Sequence, residues 1–216
     1  MIIAIDGPSA SGKSTTAKGV AEKLEITHVD TGAMYRAVTL GLKLSGISPD
    51  DDASVCQYLS EIGLYFDANN KMHLNGVDVS HEIRSGDISS RVSAVSAIPE
   101  VREKMVITQR RIAGEQNCVL EGRDIGTVVF PNAEFKFFLI ANIDVRAKRR
   151  LIELEKMGET KSISELIEDI RRRDQLDSSR DHSPLIQAKD AIPIDTSQLT
   201  INEQITKIIN HINHNK

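Results

Sequence analysis

"GPSASGKST", residues 7–15, follows an apolar run at residues 2–5 and a single aspartate, Asp6. Two glycines, one lysine and four hydroxyl side chains in nine residues do not build a core. The spacing Gly7-x-x-x-x-Gly12-Lys13-Ser14 is that of a phosphate-binding Walker A loop. Gly7 and Gly12 permit turns that a side chain would obstruct, so after Pro8 the N–H groups of Ser9, Ala10, Ser11 and their neighbours can line one concavity. A helix opening at Lys13 adds its partial positive end. Lys13 then reaches the outer phosphates, Ser14 offers a hydroxyl to Mg²⁺, and Thr15 completes the turn. A strand before the loop and the helical spacing of Ala17, Val20, Ala21 and Leu24 after it give the motif its required context.

Composition narrows the class. The 216 residues are 40% hydrophobic and 27% charged, which suits one globular domain with an ample core. A net charge of −4 and the absence of Trp argue against a nucleic-acid binder. Cys56 and Cys118 lack metal-ligand spacing and read as two buried thiols. The first residues carry neither a basic leader nor an apolar run long enough for a membrane, so a cytoplasmic protein is expected.

Alternating apolar patterns predict an α/β fold with a central, mainly parallel sheet. Strands are expected at 2–5, 26–29, 118–120, 135–140 and 192–194. Helices are expected at 13–24, 33–44, 52–62, 99–114, 143–157, 163–176 and 202–213. The stretch "LYFDANNKMHLNGVDVS" breaks the alternation, and its Asn75-Gly76 step predicts a small antiparallel insert of two or three strands.

Arginines refine the chemistry. Arg36 follows "VDTGAMY", and Arg123 lies in "EGRD", each just after an expected strand, where open parallel sheets hold ligands. "RAKRR" sets Arg146, Arg149 and Arg150 on one helix face, and Arg173, Asp177 and Arg180 share another if that helix persists. Residues 144–180 hold ten Lys/Arg and nine Asp/Glu, too balanced for a polyanion patch. Dispersed arginines suit a second phosphate. Two unit charges 4 Å apart repel by about 4 kcal/mol at an effective dielectric near 20, and guanidinium forks neutralise such charge without ever losing their own. GTPase signatures are absent, and "FKFFLIAN" ends in Asn142 rather than an acid. A kinase with another small acceptor and a nucleotide-gated regulator remain open at this point.

The chain resembles bacterial cytidylate (CMP) kinases, the long form of the nucleoside-monophosphate kinases. The resemblance rests on "IDGPSASGKST", "DTGAMYR", "LNGVDVSHEIR", "PEVREKM", "EGRDIGTVVFP" and "RRRDQLDSSRD". It implies a single three-layer P-loop kinase domain with a core at 1–30, 116–145 and 186–216, an NMP-binding region with the β insert at 31–115, and a LID with flanking helices at 146–185. It implies ATP-dependent, in-line phosphorylation of CMP and dCMP with Mg²⁺, by a monomer with no nucleic-acid or membrane partner. By position, Thr31, Arg36, Arg123 and Arg180 hold the CMP phosphate, and Arg173 and Asp177 meet the ribose. Ser93, Arg102 and Asp124 read cytosine, while Arg146, Arg149 and Arg150 approach the ATP phosphates. Lys13, Arg123 and Arg180 are the expected catalytic set. A carboxylate accepting from the N4 amine is the pairing cytosine calls for, which suits Asp124.

Overall fold

The computed structural model describes residues 1–215. Among them the chain forms two compact units, one of Met1–Asp30 with Glu115–Lys216 and one of Thr31–Gly114.

The first unit is built on five parallel strands in the order β2-β6-β1-β7-β8. They are β1 (Ile2–Asp6), β2 (Thr27–Asp30), β6 (Cys118–Gly122), β7 (Phe135–Ile140) and β8 (Ile192–Asp195). β1 is central, and it reads as a continuous apolar run because both of its faces are covered. Ile3 and Ile5 point to one face, where they pack with Ala17 and Val20 of helix α1 (Lys13–Leu24) and Ile205, Ile208 and Ile212 of α8 (Ile201–His214). Parallel register aligns Asp6 of β1 with Gly122 of β6 and Phe138 of β7. The carboxyl ends of the central strands are therefore level, and the loops that follow them emerge together.

Local sequence fixes the helix ends. α1 stops at Glu25, a left-handed residue with φ 54°, and the amide of Ile26 returns to the carbonyl of Ala21. α6 (Ile143–Lys156) packs on α7 (Ile163–Ser178) through Ala147, Leu154, Leu166 and Ile170. α7 and α8 each open on a capping box, Ser162 with Glu165 and Thr200 with Glu203. No described helix is long and apolar enough to cross a membrane.

The second unit holds α2 (Thr31–Leu44), α3 (Asp52–Glu61), α4 (Gly86–Val95) and α5 (Pro99–Ala113). It also holds an antiparallel sheet of β3 (Leu64–Phe66), β4 (Met72–Leu74) and β5 (Val77–Asp78). Asn75 and Gly76 both take positive φ, 50° and 86°, the turn expected of an Asn-Gly step. The small sheet is anchored by burial of Leu64, Met72 and Leu74, and α2 packs against β4, α4 and α5.

The expected strands and helices are present with ends moved by one or two residues. α4 was not anticipated: its three serines and a glycine weaken the helix signal, yet Ile88, Val92 and Val95 recur on one buried face. Cys56 is a correction. It is exposed, because α3 turns Val55 and Leu59 inward and Cys56 outward, whereas Cys118 is buried as expected.

Phe137 sits fully buried in β7, with the His211 ring edge-on at 5.7 Å. Phe137→Ala should lower stability by about 3–5 kcal/mol, read as a fall in the urea midpoint at unchanged slope.

Candidate active site

The chain leaves β1 at Asp6 and makes a loop with positive φ at Gly7 (148°), Ala10 (56°) and Gly12 (96°). A Cβ on Gly7 would run into the carbonyl oxygen of Leu139, so space as well as φ demands glycine there. The loop closes around its own lysine. Lys13 Nζ donates to the carbonyl of Pro8 at 2.6 Å and lies 3.5 Å from Ser11 Oγ. Burial, and then the charge of Arg123, push Lys13 well below its usual value, against the pull of Glu121. An incoming phosphate would supply the negative charge that this ammonium lacks.

Ser14 Oγ donates to Glu121 Oε2 at 2.6 Å, and Glu121 Oε1 lies 3.2 Å from His28 Nε2. A hydroxyl beside a carboxylate is a hard oxygen pair. No cluster of three or more His, Cys, Asp or Glu side chains able to cage a metal exists among the described residues. The Ser14–Glu121 oxygen pair suits Mg²⁺, which keeps several waters and takes only one or two protein oxygens together with phosphate. Ser14 would hold it, with Glu121 alongside.

Asp177 pairs with Arg123 and Arg180 and feels the charge of Arg173. Arg123 Nε donates to Asp177 Oδ2 at 2.8 Å, and Arg180 Nε donates to the Asp177 carbonyl at 3.2 Å with Nη2 3.9 Å from Oδ1. Arg173 Nη1 reaches back to Ser9 Oγ of the loop at 3.4 Å. Burial alone would raise the Asp177 carboxyl, but the charges of Arg123, Arg173 and Arg180 hold it below its usual range. The Asp177 and Arg180 side chains are only 4% and 6% exposed, so this cluster concentrates positive charge in a dry place.

α7 ends at Ser178, so Arg180 joins the cluster from just beyond the helix rather than along its face. Nor do the "RAKRR" arginines act alike. Arg146 donates through Nε to the Ser9 carbonyl at 2.7 Å and forms a two-pronged pair with Asp174 at 2.6 and 2.7 Å. Arg149 donates to Thr196 Oγ1 and to its carbonyl, at 3.0 and 2.7 Å. Arg150 pairs instead with Glu153, three residues further along the same helix, at 3.0 Å.

In the second unit, Thr31 opens α2 and is buried, and Arg36 lies half-buried on the same helix. Ser93 of α4 and Arg102 of α5 are buried, not surface groups. Arg102 Nη1 donates to the Ser96 carbonyl at 3.1 Å, and its guanidinium lies over the Tyr35 ring, 5.4 Å from the centroid. In the first unit, Asp124 is buried immediately after Arg123.

A family model for cytidylate kinase matches residues 3–214. The chain belongs to the cytidylate kinase family. The curated cytidylate kinase of Clostridioides difficile (strain 630) is 45% identical over 213 residues, which cover 99% of this chain and 98% of that protein. The cytidylate kinase of Caldanaerobacter subterraneus subsp. tengcongensis is 47% identical over 213 residues, covering 99% and 95%. Among solved structures, shikimate kinase from Bacteroides thetaiotaomicron aligns over 99% of this chain and 98% of its own, with a TM-score of 0.53 at 13% identity. An uncharacterized protein from Eubacterium ventriosum aligns over the same shares, with a TM-score of 0.55 at 14% identity. These two likenesses are of fold alone.

Several residues of this cytidylate kinase family site carry no sequence signal of their own. Thr196 is fully buried and donates to the Ser11 carbonyl at 2.8 Å, tying the loop to the end of β8. Thr16 Oγ1 donates to Gln204 Oε1 at 2.7 Å, tying α1 to α8. Asp6 accepts from the amides of Ile125 and Gly126, and burial pushes its carboxyl up to about 6.

That raised carboxyl has a sign. The folded chain holds the Asp6 proton more tightly than the unfolded one, so this group's contribution to stability falls as pH rises from 3.8 through about 6. The full difference is roughly 3 kcal/mol. Urea unfolding of wild type and Asp6→Asn at pH 4.5 and pH 7 should therefore show their stability gap moving in favour of the variant at pH 7. A gap independent of pH would contradict the assignment.

Proposed function

We propose that this chain moves the γ-phosphoryl group of ATP onto CMP, giving ADP and CDP, with dCMP accepted in the same way. Membership of the cytidylate kinase family makes it a phosphotransferase that converts CMP to CDP. The observation that supports the mechanism is the gathering of positive charge beside the loop: Arg123 and Arg180 pair with Asp177, and the charge of Arg173 acts on the same carboxylate. A phosphate-bearing acceptor suits those arginines, and a neutral acceptor does not.

Transfer brings two phosphates together, so the protein's task is positioning and charge stabilisation. Lys13 and the loop amides grip the donor phosphates. Arg123 and Arg180, with Thr31 and Arg36, grip the phosphate of CMP. That oxygen is already an anion, so no side chain need remove a proton. Ser14 would hold Mg²⁺, which when bound would neutralise charge on the donor phosphates. Arg173 and Asp177 sit at the ribose, and the Asp177–Arg123 bond offers a second role in which Asp177 aims the guanidinium. Ser93, Arg102 and Asp124 read cytosine, Asp124 by accepting from the N4 amine.

Residues 146–185 act as a LID that excludes water, with Arg146 and Arg149 nearest the donor loop by their bonds to Ser9 and Thr196. Arg150, turned toward Glu153, has the weakest claim on ATP. The enzyme works as a cytoplasmic monomer, where both nucleotides are dissolved.

ADP release with ATP·Mg²⁺ against CMP, dCMP, UMP, AMP and GMP tests the reading. CMP and dCMP should turn over well above the rest, and equal rates on all five would refute it. Arg123→Met should weaken use of CMP far more than ATP affinity, measured by steady-state kinetics and calorimetry. Asp124→Asn should lower kcat/KM for CMP by about ten- to a hundredfold, the worth of one charge-assisted hydrogen bond. Its CMP-to-UMP ratio should also narrow, because an amide can donate to the uracil O4. Equal slowing on both bases would show that Asp124 supports the phosphate grip instead.

A further inference from the structure

Asp6 is the last residue of β1 and stands opposite Gly122 of β6, one residue before Arg123. Its side chain is buried, and among the described residues no salt bridge holds it. Its Oδ1 accepts from the amide of Ile125 at 2.9 Å and its Oδ2 accepts from the amide of Gly126 at 2.7 Å. Those two amides open a single helical turn, Ile125–Val129, which follows directly on Arg123 and Asp124. The turn's own bonds begin later: Val128 and Val129 donate to the Asp124 carbonyl and Phe130 to that of Ile125. Its first amides have no acceptor within the turn, and five residues do not hold a helical direction by themselves.

We propose that Asp6 is a positioning residue for the acceptor nucleotide, its two carboxylate oxygens setting the backbone direction of the segment that presents Arg123 and Asp124. This rests on the assignment of Arg123 and Asp124 to CMP.

The chemistry of the side chain supports it. Two adjacent amides point at one side chain, so two acceptor oxygens are required. Asn offers one oxygen and one amide donor, and Ser offers one oxygen; only a carboxylate of this length meets both. The far end of the segment is pinned independently, by Lys136 Nζ donating to the Pro131 carbonyl at 2.5 Å and to Asp190. Gly126 leaves room for both grips, since a Cβ there would come within 3.4 Å of Asp6 Oδ2 and 3.2 Å of Lys136 Cδ. The charged groups facing Asp6 are Asp124, which opposes its ionisation, and Lys13 of α1, which favours it. Burial outweighs the two amide bonds and leaves the carboxyl raised to about 6. A charge kept under that penalty, where it aims two binding residues, is a charge kept for position.

The test is Asp6→Asn, which keeps the volume and loses one acceptor. Its kcat/KM for CMP should fall roughly 10- to 100-fold, the scale of a misplaced binding group, while ATP affinity by calorimetry stays near wild type. Wild-type kinetics on CMP would overturn the proposal, as would an equal loss for both nucleotides, which would make Asp6 a support of the donor loop alone. If the variant does not fold, NMR of the ligand-free wild type decides. The amide protons of Ile125 and Gly126 should shift together with the Asp6 carboxyl carbon through one midpoint near pH 6. Amides that stay flat through that titration would overturn it. A wild-type enzyme idle on CMP would defeat the functional assignment, and the placing of an acceptor with it, while the amide titration would still report whether Asp6 holds the turn.

Discussion

Like charges held close in a dry place are the constraint on which the first unit depends. Lys13, Arg123, Arg173 and Arg180 act on one another or on the carboxylates of Asp177, Glu121 and Asp6. Left alone, such a group would swell or hydrate. Here Lys13 is held by Pro8 O, Arg123 by the Asp177 carboxylate and Gly122 O, and Arg180 by Asp177 O. A carboxylate is a stronger partner for a guanidinium than a carbonyl is, so Asp177 is the firmest anchor of Arg123.

The sheet makes that arrangement rigid. β1 is flanked by β6 and β7 in parallel register, and the loop after β1 and the turn after β6 leave from adjacent positions. Ties from distant chain segments then lock the loop from outside. Thr196 bonds to Ser11, Arg146 to Ser9, and Gln204 receives Thr16. Each tie joins a backbone or side-chain group that the loop itself cannot satisfy. The loop's shape is thus a property of the whole unit and not of its nine residues.

Sequence patterns revealed what is local. The helix 13–24 coincides with α1, since Gly12 before it and Glu25 after it mark both ends, and the Asn75-Gly76 turn takes the positive φ values its residues favour. The parallel sheet followed from apolar runs of strand length. What stayed hidden depends on distance along the chain. Asp6 meets Ile125 across 119 residues and Thr196 meets Ser11 across 185, and no spacing rule reaches so far. Helix α4 was missed because its serines blur a period that Ile88, Val92 and Val95 nevertheless carry. The three "RAKRR" arginines were read as one face, but their partners Asp174, Thr196 and Glu153 divide them, and those partners lie partly outside the helix.

The two cysteines have unlike surroundings, and that has a practical use. Cys118 lies inside β6 with its thiol pushed by burial up to about 11, so it stays protonated and out of reach of alkylating reagents. Cys56 is exposed on α3, beside the buried Val55 and Leu59. The native chain therefore carries one addressable attachment point, located in the unit that holds Thr31, Arg36, Ser93 and Arg102. A maleimide dye or spin label placed there would report on that unit alone, with no cysteine to delete.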